Sequence, residues 1–352
     1  MHTINLKKIS QLLSEKTGEA IEISNIEKAG SGFHSDGFKI STDDGKTFFL
    51  KRVKSLEGGF EFPERRISSL LVSDSMARRA KQSPQPIGVI LMKDEHAQIA
   101  HDISDDHVIY HVQEFETAAS SYLDLLDQRH EKEGINEEDQ RELEAVVKFI
   151  TDLHAIKHPS QDEKIKKAVY NDGIRAVIVH PELTFTLLHD FPHDYPHLPI
   201  KDQERLIGLM WANTLDWKDR TDRLSALHGD FWGANVFFKH DGSLFAIDYS
   251  RIPWGDPGID VGWWLSQYLW RYHKTGNPYF KELGEEFLRQ YIEVTGDEEV
   301  RKAVTLAIGF LGIVNIYPKF HPNGLERALG DNFLGAIYQT LENKEFAWEK
   351  AK

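Results

Sequence analysis

Asp230, Asn235 and Asp248 are polar residues at the edges of two apolar runs in LHGDFWGANVFFKHDGSLFAID, residues 227–248. Asp230 stands between Gly229 and Phe231, Asn235 directly precedes Val236-Phe237-Phe238, and Asp248 follows Ala246-Ile247. A carboxylate taken out of water is costly unless it is paired or holds a metal. Val236–Phe238 and Leu244–Ile247 read as short strands, and Asp241-Gly242 between them is a two-residue hairpin signal. That turn places Ser243 opposite His240, Phe238 opposite Phe245, Val236 opposite Ile247 and Asn235 opposite Asp248. Opposed residues share a face, with Cβ atoms roughly 5 Å apart. An amide oxygen and a carboxylate on one point are hard ligands of the kind magnesium takes, its other positions going to water and phosphate. A polar pair closing the open end of a hairpin accounts for the same residues, and a one-residue slip of register would separate them.

A second cluster surrounds Lys51 in TFFLKRV, residues 47–53. Strand alternation puts it on one face with Phe49 and Val53, and a lysine among inward-facing residues calls for an acidic or phosphate partner. Glu64, on a helical stretch from about Pro63 to Lys81 and on the face of Ile67 and Leu71, is the first choice; Glu57 and Glu61 compete. Upstream, AGSGFHSDGFKI carries Gly30, Ser31, Gly32 and Gly37 about a turn between strands. Small residues there let backbone N–H groups approach phosphate oxygens, although an ordinary glycine hairpin fits the same residues.

The elements that must position these groups change character near residue 117. Before it, IEISNIEKAG, DGFKIST, KTFFLKRV, PIGVILMK, HAQIAH and HVIYHVQEF alternate as strands, broken by the one helical stretch after Pro63. After it, ASSYLDLLDQRH, EEDQRELEAVVKFITDLHAI and the long periods beyond 260 read as helices, with the hairpin of 236–247 set among them. The charged run DQRHEKEGINEEDQRELE reads as a solvated turn between two helices. No internal repeat or low-complexity tract is present. The expectation is a small β lobe, residues 1–116, ending in a connecting strand, and a larger helical lobe, residues 117–352.

Whole-chain properties narrow the function. The 352 residues suffice for a large core and two domains. No apolar run reaches membrane-spanning length and MHTINLKKISQLL lacks a signal-peptide pattern, so a soluble cytoplasmic protein is expected. The absence of cysteine excludes disulfides, thiolate nucleophiles and cysteine metal sites. With 56 acidic against 42 basic residues and a formal charge of −14, a nucleic-acid groove is disfavoured and a cationic small molecule is favoured over an anionic one.

HGDFWGAN, IDYS and GDPGID together resemble the aminoglycoside phosphotransferase and choline kinase family, the small-molecule branch of the protein-kinase-like fold. The pattern H-G-D-x-x-x-x-N is carried by His228, Gly229, Asp230 and Asn235, the metal-binding aspartate after an apolar strand by Asp248, and G-D-P-x-x-D by Gly255, Asp256, Pro257 and Asp260. Phe49-Leu50-Lys51 looks like the family's phosphate-binding lysine strand, and Thr151–His154 like its L-H helix end. The resemblance implies an α+β, bilobal protein-kinase-like fold with a small antiparallel β N-lobe and a larger, mainly α-helical C-lobe. It also implies transfer of the γ-phosphate of Mg-ATP to a hydroxyl of a small molecule, chemistry that rests on positioning and charge neutralisation. Asp230 would orient or accept the hydroxyl proton, Asn235 and Asp248 would hold Mg2+, and Lys51, fixed by a glutamate, would contact the phosphates. Backbone groups near Glu114 and Glu116 would meet the adenine, while His228 and Asp260 would brace the catalytic loop. H-R-D, D-F-G and A-P-E signatures are absent, which disfavours a protein substrate.

Other clusters have structural explanations. His189, His193 and His197 recur at intervals of four, but Pro192, Pro196 and Pro199 forbid the regular helix that would make them a zinc site. Trp254, Trp263, Trp264 and Trp270 offer an aromatic cage for a quaternary ammonium; packing of a helix on the core explains the last three, leaving Trp254. Asp190, Asp194, Asp216, Asp219 and Asp222 are expected to line a cleft that attracts an amine-bearing acceptor, such as an aminoglycoside-like molecule or an amino alcohol. A kinase of a neutral sugar or other endogenous metabolite, and a non-catalytic nucleotide-binding pseudokinase, are the alternatives. The oligomeric state is unknown at this level.

Overall fold

The computed structural model describes residues 4–31, 35–53, 63–80, 82–93, 96–97, 108–118, 120–180, 183–249 and 251–350. The protein is α+β, and its backbone contacts cluster into two compact units, Met1–Thr117 and Ala118–Lys352.

The first unit opens with α1 (Leu6–Thr17), whose first turn is capped by Asn5 Oδ1 accepting from Lys8 N–H. Six strands follow: β1 (Ile23–Ser31), β2 (Ser35–Thr42), β3 (Thr47–Val53), β4 (Pro86–Lys93), β5 (His96–Ala97) and β6 (Val108–Glu114), with α2 (Pro63–Ala77) between β3 and β4. They form one antiparallel sheet in the order β1-β2-β3-β6-β4-β5. Ile9 and Leu13 of α1 pack on Ile40, Phe48, Leu50, Tyr110 and Val112, so alternate residues of β3 fill this core. Lys51 therefore points to the opposite face of the sheet, not into the apolar cluster. α2 lies over that opposite face, since Asp74 reaches His111, which is paired across the strands with Lys51.

The second unit begins with β7 (Ser120–Ser121), α3 (Tyr122–Asp127), α4 (Glu137–His154), α5 (Glu163–Val179), α6 (Thr184–His189) and α7 (Ile200–Asp216). β8 (Ser225–Ala226), β9 (Val236–Phe238), β10 (Leu244–Ala246) and β11 (Trp254–Gly255) come next, then α8 (Gly258–Thr275), α9 (Pro278–Thr295), α10 (Val300–Ala303), α11 (Thr305–Asn315) and α12 (Arg327–Asn343). α8 and α11 form the centre, and small residues set their approach: a Cβ on Gly262 would stand 3.0 Å from that of Ala307. Trp263 and Trp264 are buried in this core, while Trp254 is half-buried with its ring 4.9 Å edge-on to His158. The charged run before α4 differs from the solvated turn expected of it. Asp139, in the capping box with Asn136, is fully buried, ion-paired with Arg129, and accepts from Lys132 and the Tyr279 hydroxyl. Among the described residues no helix is long and apolar enough to cross a membrane.

Candidate active site

The hairpin that carries Asn235 and Asp248 is shifted by one residue from the register its turn sequence suggests. Phe238 pairs with Leu244, Phe237 with Phe245 and Val236 with Ala246. The physical reason lies in the turn. Lys239 N–H donates to Ser243 O, Gly242 N–H returns to Lys239 O, and Gly242 takes φ 80°. A three-residue loop closed by a left-handed glycine replaces the two-residue one. Asn235 consequently exchanges its backbone hydrogen bond with Ile247, whose N–H donates to Asn235 O at 3.0 Å. Asp248 is not directly opposite Asn235. It is instead one residue past that bond and in the left-handed region at φ 67°, a conformation aspartate tolerates better than most residues.

The loop before the hairpin is built around Asp230. Asn235 Nδ2 donates to Asp230 O at 2.9 Å and to Oδ2 at 3.1 Å, while Arg251 Nη1 donates to Oδ1 at 2.7 Å. Both carboxylate oxygens are thus held, and the side chain is almost fully buried. Gly229 has φ 76°, and a Cβ there would lie 2.5 Å from Ile252 N, so the backbone of 229 passes directly against that of 252. Phe231 is fully buried and stacks between Trp264 at 4.6 Å and Phe149 at 5.9 Å. The next residue, Trp232, is 38% exposed.

Asp260 fixes the same loop from behind. Fully buried in the first turn of α8, it accepts from His228 N–H at 2.7 Å and Gly229 N–H at 2.9 Å. It also bonds His154 Nε2 at 3.1 Å, and His154 Nδ1 is 2.8 Å from the Tyr291 hydroxyl. A buried carboxylate with three such partners is satisfied. His228 is fully buried against Tyr249, and burial pushes its imidazole down to about 4. It is therefore neutral, with Nδ1 accepting from Asp230 N–H at 3.3 Å.

Asp256, of the same G-D-P-x-x-D motif, is gripped by Arg223 through two bonds of 2.7 and 3.0 Å and accepts from the Tyr170 hydroxyl and Gly258 N–H. Arg251 and Gln267, whose Oε1 accepts from Gly233 N–H at 3.0 Å, were not legible as site residues. A basic residue three positions after Asp248 is the one sequence signal that could have marked Arg251.

In the first unit, Gly30 pairs with Gly37, and Ser31 with Asp36. Ser31 Oγ donates to Asp36, which also receives Arg52 at 2.9 Å. Gly37 lies beside Lys51 in the register and leaves room for the Phe49 ring, 2.5 Å from where a Cβ would stand. Glu64 is a correction. It is exposed in the first turn of α2 and forms no ion pair with Lys51 among the described residues. The face it shares with Leu71, which is 55% exposed, turns outward, and the buried face carries Arg66, Ser69, Ser73 and Asp74. Gly32, Glu57 and Glu61 lie outside the described residues. Glu114 ends β6 with its N–H committed to Gln85 O at 2.9 Å, and half-buried Glu116 follows in irregular backbone.

The carboxylates expected to gather at a cleft are mostly neutralised individually. Asp190 pairs with Lys319, Asp216 with Lys344, Asp219 with Lys167 and Asp222 with Arg220. In the proline-punctuated segment, His197 is buried with Nε2 against Leu325 O, and His193 is exposed.

The phosphotransferase enzyme family matches this chain over residues 25–303. No curated protein matches it. Among solved structures, the amicoumacin kinase hAmiN in complex with AMP-PNP, Ca2+ and Ami is similar at 12% identity, with 99% of each chain covered and a TM-score of 0.52. A thermostable mutant of the aminoglycoside phosphotransferase APH(4)-Ia, in ternary complex with ADP and hygromycin B, is 15% identical over 95% of this chain and 98% of its own, with a TM-score of 0.51. A candidate fructosamine-3-kinase from Haemophilus somnus 129PT gives 15% identity, 96% of both chains and a TM-score of 0.51. Those identities speak for the fold, which is the kinase-like one. With the family matched across most of its length and the H-G-D-x-x-x-x-N loop assembled as described, the chain belongs to the phosphotransferase enzyme family and is a small-molecule kinase.

Proposed function

We propose that the protein transfers the γ-phosphate of Mg-ATP to a hydroxyl of a small molecule. The observation that carries this reading is the Asp230 carboxylate. It is buried, oriented on one oxygen by Asn235 and on the other by Arg251, in a loop whose backbone is clamped by Asp260. A carboxylate so fixed is suited to orient a hydroxyl and accept its proton. Proton transfer from the acceptor would go to the Asp230 carboxylate, which N–H donors on both oxygens hold in place. His228, neutral and already accepting from Asp230 N–H, orders the loop and takes no part in that transfer.

The donor chemistry near the base fits a magnesium ion. With Nδ2 committed to Asp230, the carbonyl oxygen of Asn235 is the atom left for a cation, and Asp248 supplies the carboxylate. Two hard oxygens with room for water and phosphate are a magnesium donor set, and a bound ion there would neutralise charge on the transferred phosphoryl group. Lys51, on the α2-covered face of its sheet, is the group for the α- and β-phosphates. Its partner is to be sought at Glu57 or Glu61 in place of Glu64.

Support for the domain roles is of the same kind: the unit of 1–117 would hold nucleotide and the unit of 118–352 would hold the base and the acceptor. An amine-bearing molecule remains the first choice from the acidity of the chain, but four of the five aspartates invoked for it already have cations, which favours testing neutral sugars alongside. A screen of ATP consumption across aminoglycosides, amino alcohols, sugars and nucleosides tests the reading, with Asp248→Ala as control. Turnover that the wild type shows and Asp248→Ala retains, with unchanged magnesium dependence, would overturn the assignment.

A further inference from the structure

The second unit holds a cavity of about 530 Å3 between the C-terminal ends of α4 and α9 and the segment leading into β8, a size typical of small-molecule sites. Its charges are unevenly satisfied. On the rim, Asp152 pairs with Lys148 at 2.8 Å and Asp222 with Arg220 at 3.4 Å. Inside, Asp297 is bonded twice by Arg223, at 2.7 and 2.8 Å, and the rest of that guanidinium is taken by Asp256. Lys157 is different. Its Nζ donates to Ser225 Oγ at 2.8 Å, and among the described residues no carboxylate lies within 4 Å of it. Burial and the neighbouring Arg223 hold this ammonium below the usual lysine range, so a negative charge placed beside it would relieve both effects.

The helix ends at the cavity carry partial negative charge, so an anion must be held by the ammonium and by the Ser225 hydroxyl, turned from its long bond to Arg223 O at 3.3 Å. A cation would need the carboxylates, and each of those has its own partner. The same cavity is walled by His154 and Tyr291. His154 Nε2 bonds Asp260, and Asp260 receives the N–H groups of His228 and Gly229. The cavity therefore abuts the groups that position the loop of Asp230.

We infer that this cavity binds a small organic anion, a carboxylate or a phosphate monoester, through Lys157 and Ser225, and that occupancy is transmitted to the catalytic loop through His154 and Asp260. The experiment uses the full chain saturated with AMP-PNP and magnesium, so that the nucleotide site is blocked. Inorganic phosphate, glycerol phosphate and citrate are titrated by calorimetry. The expected result is saturable binding that survives in Lys148→Met and weakens at least tenfold in both Lys157→Met and Ser225→Ala. Both variants are checked for an unchanged melting temperature without anion. Binding that disappears on nucleotide saturation, or is equal in Lys157→Met and wild type, overturns the site. The bound anion is further expected to change the rate of ATP hydrolysis without acceptor by at least twofold in wild type and not in Lys157→Met. An unchanged rate at saturating anion overturns the link to the loop and leaves the site standing. Because binding is read without turnover, failure of the site is distinguishable from failure of the kinase reading.

Discussion

Lowering the pH should destabilise the second unit through His228, by an amount its burial fixes. The ring is fully buried and is held neutral down to about 4, against an ordinary value of 6.5 for the unfolded chain. Between those values the unfolded state binds a proton that the folded state refuses. Stability is therefore intact above about pH 6.5 and falls progressively as the pH drops through 4. At about 1.4 kcal/mol for each pH unit between the two values, the loss is about 3 kcal/mol. Other groups titrate in the same range, so a variant isolates the effect. His228→Asn keeps an acceptor for Asp230 N–H but cannot be protonated. It loses the contact with Tyr249, a penalty independent of pH. Urea unfolding at several pH values from 7 to 4 should show the wild type losing about 3 kcal/mol more than the variant. Parallel curves for the two proteins would refute the reasoning, because they would mean the ring protonates equally well folded and unfolded.

Further outcomes follow from the loop geometry. Asp230→Asn should leave AMP-PNP affinity within a few-fold, measured by calorimetry, while turnover falls by about 10²- to 10⁴-fold. Arg251→Met removes the donor 2.7 Å from the Asp230 carboxylate, and turnover should fall by about tenfold or more at unchanged AMP-PNP affinity, because the carboxylate is no longer held in one orientation. Asp260→Asn presents an amide N–H to a backbone N–H that the carboxylate now satisfies, and should cost about 1–3 kcal/mol in urea unfolding. If the acceptor is a cation steered by carboxylates, its Michaelis constant should rise between low and 0.1 M salt, where screening acts over roughly 10 Å; a flat response identifies a neutral acceptor.

The division of the chain was legible because the hydrophobic period changes from two to about 3.6 near residue 117, and Asp230, Asn235 and Asp260 were legible because their spacing is tied to the loop they build. The hairpin register was not. Asp241-Gly242 serves both two- and three-residue loops, and only the left-handed Gly242 with the Lys239–Ser243 pairing selects the longer one. The orientation of α2 also escaped, because Glu64, Ile67 and Leu71 look like an inward apolar stripe. Packing instead buried the side with Arg66 and Asp74, whose partner His111 is far away in sequence. The same holds for Asp139: a run dense in charges reads as solvent-facing until Arg129, Lys132 and Tyr279 are seen to converge on it.

Phe231 and Trp232 are consecutive aromatics with opposite obligations. Phe231 is stacked between Phe149 and Trp264, so a substitution there opens a void in the core, a loss of about 3–5 kcal/mol for a truncation to alanine. Trp232 is exposed, and surface replacements usually alter stability by no more than about 0.5 kcal/mol. A substitution at 232 therefore reshapes the surface two residues from Asp230 at little cost to folding, whereas the same substitution at 231 is borne by the core.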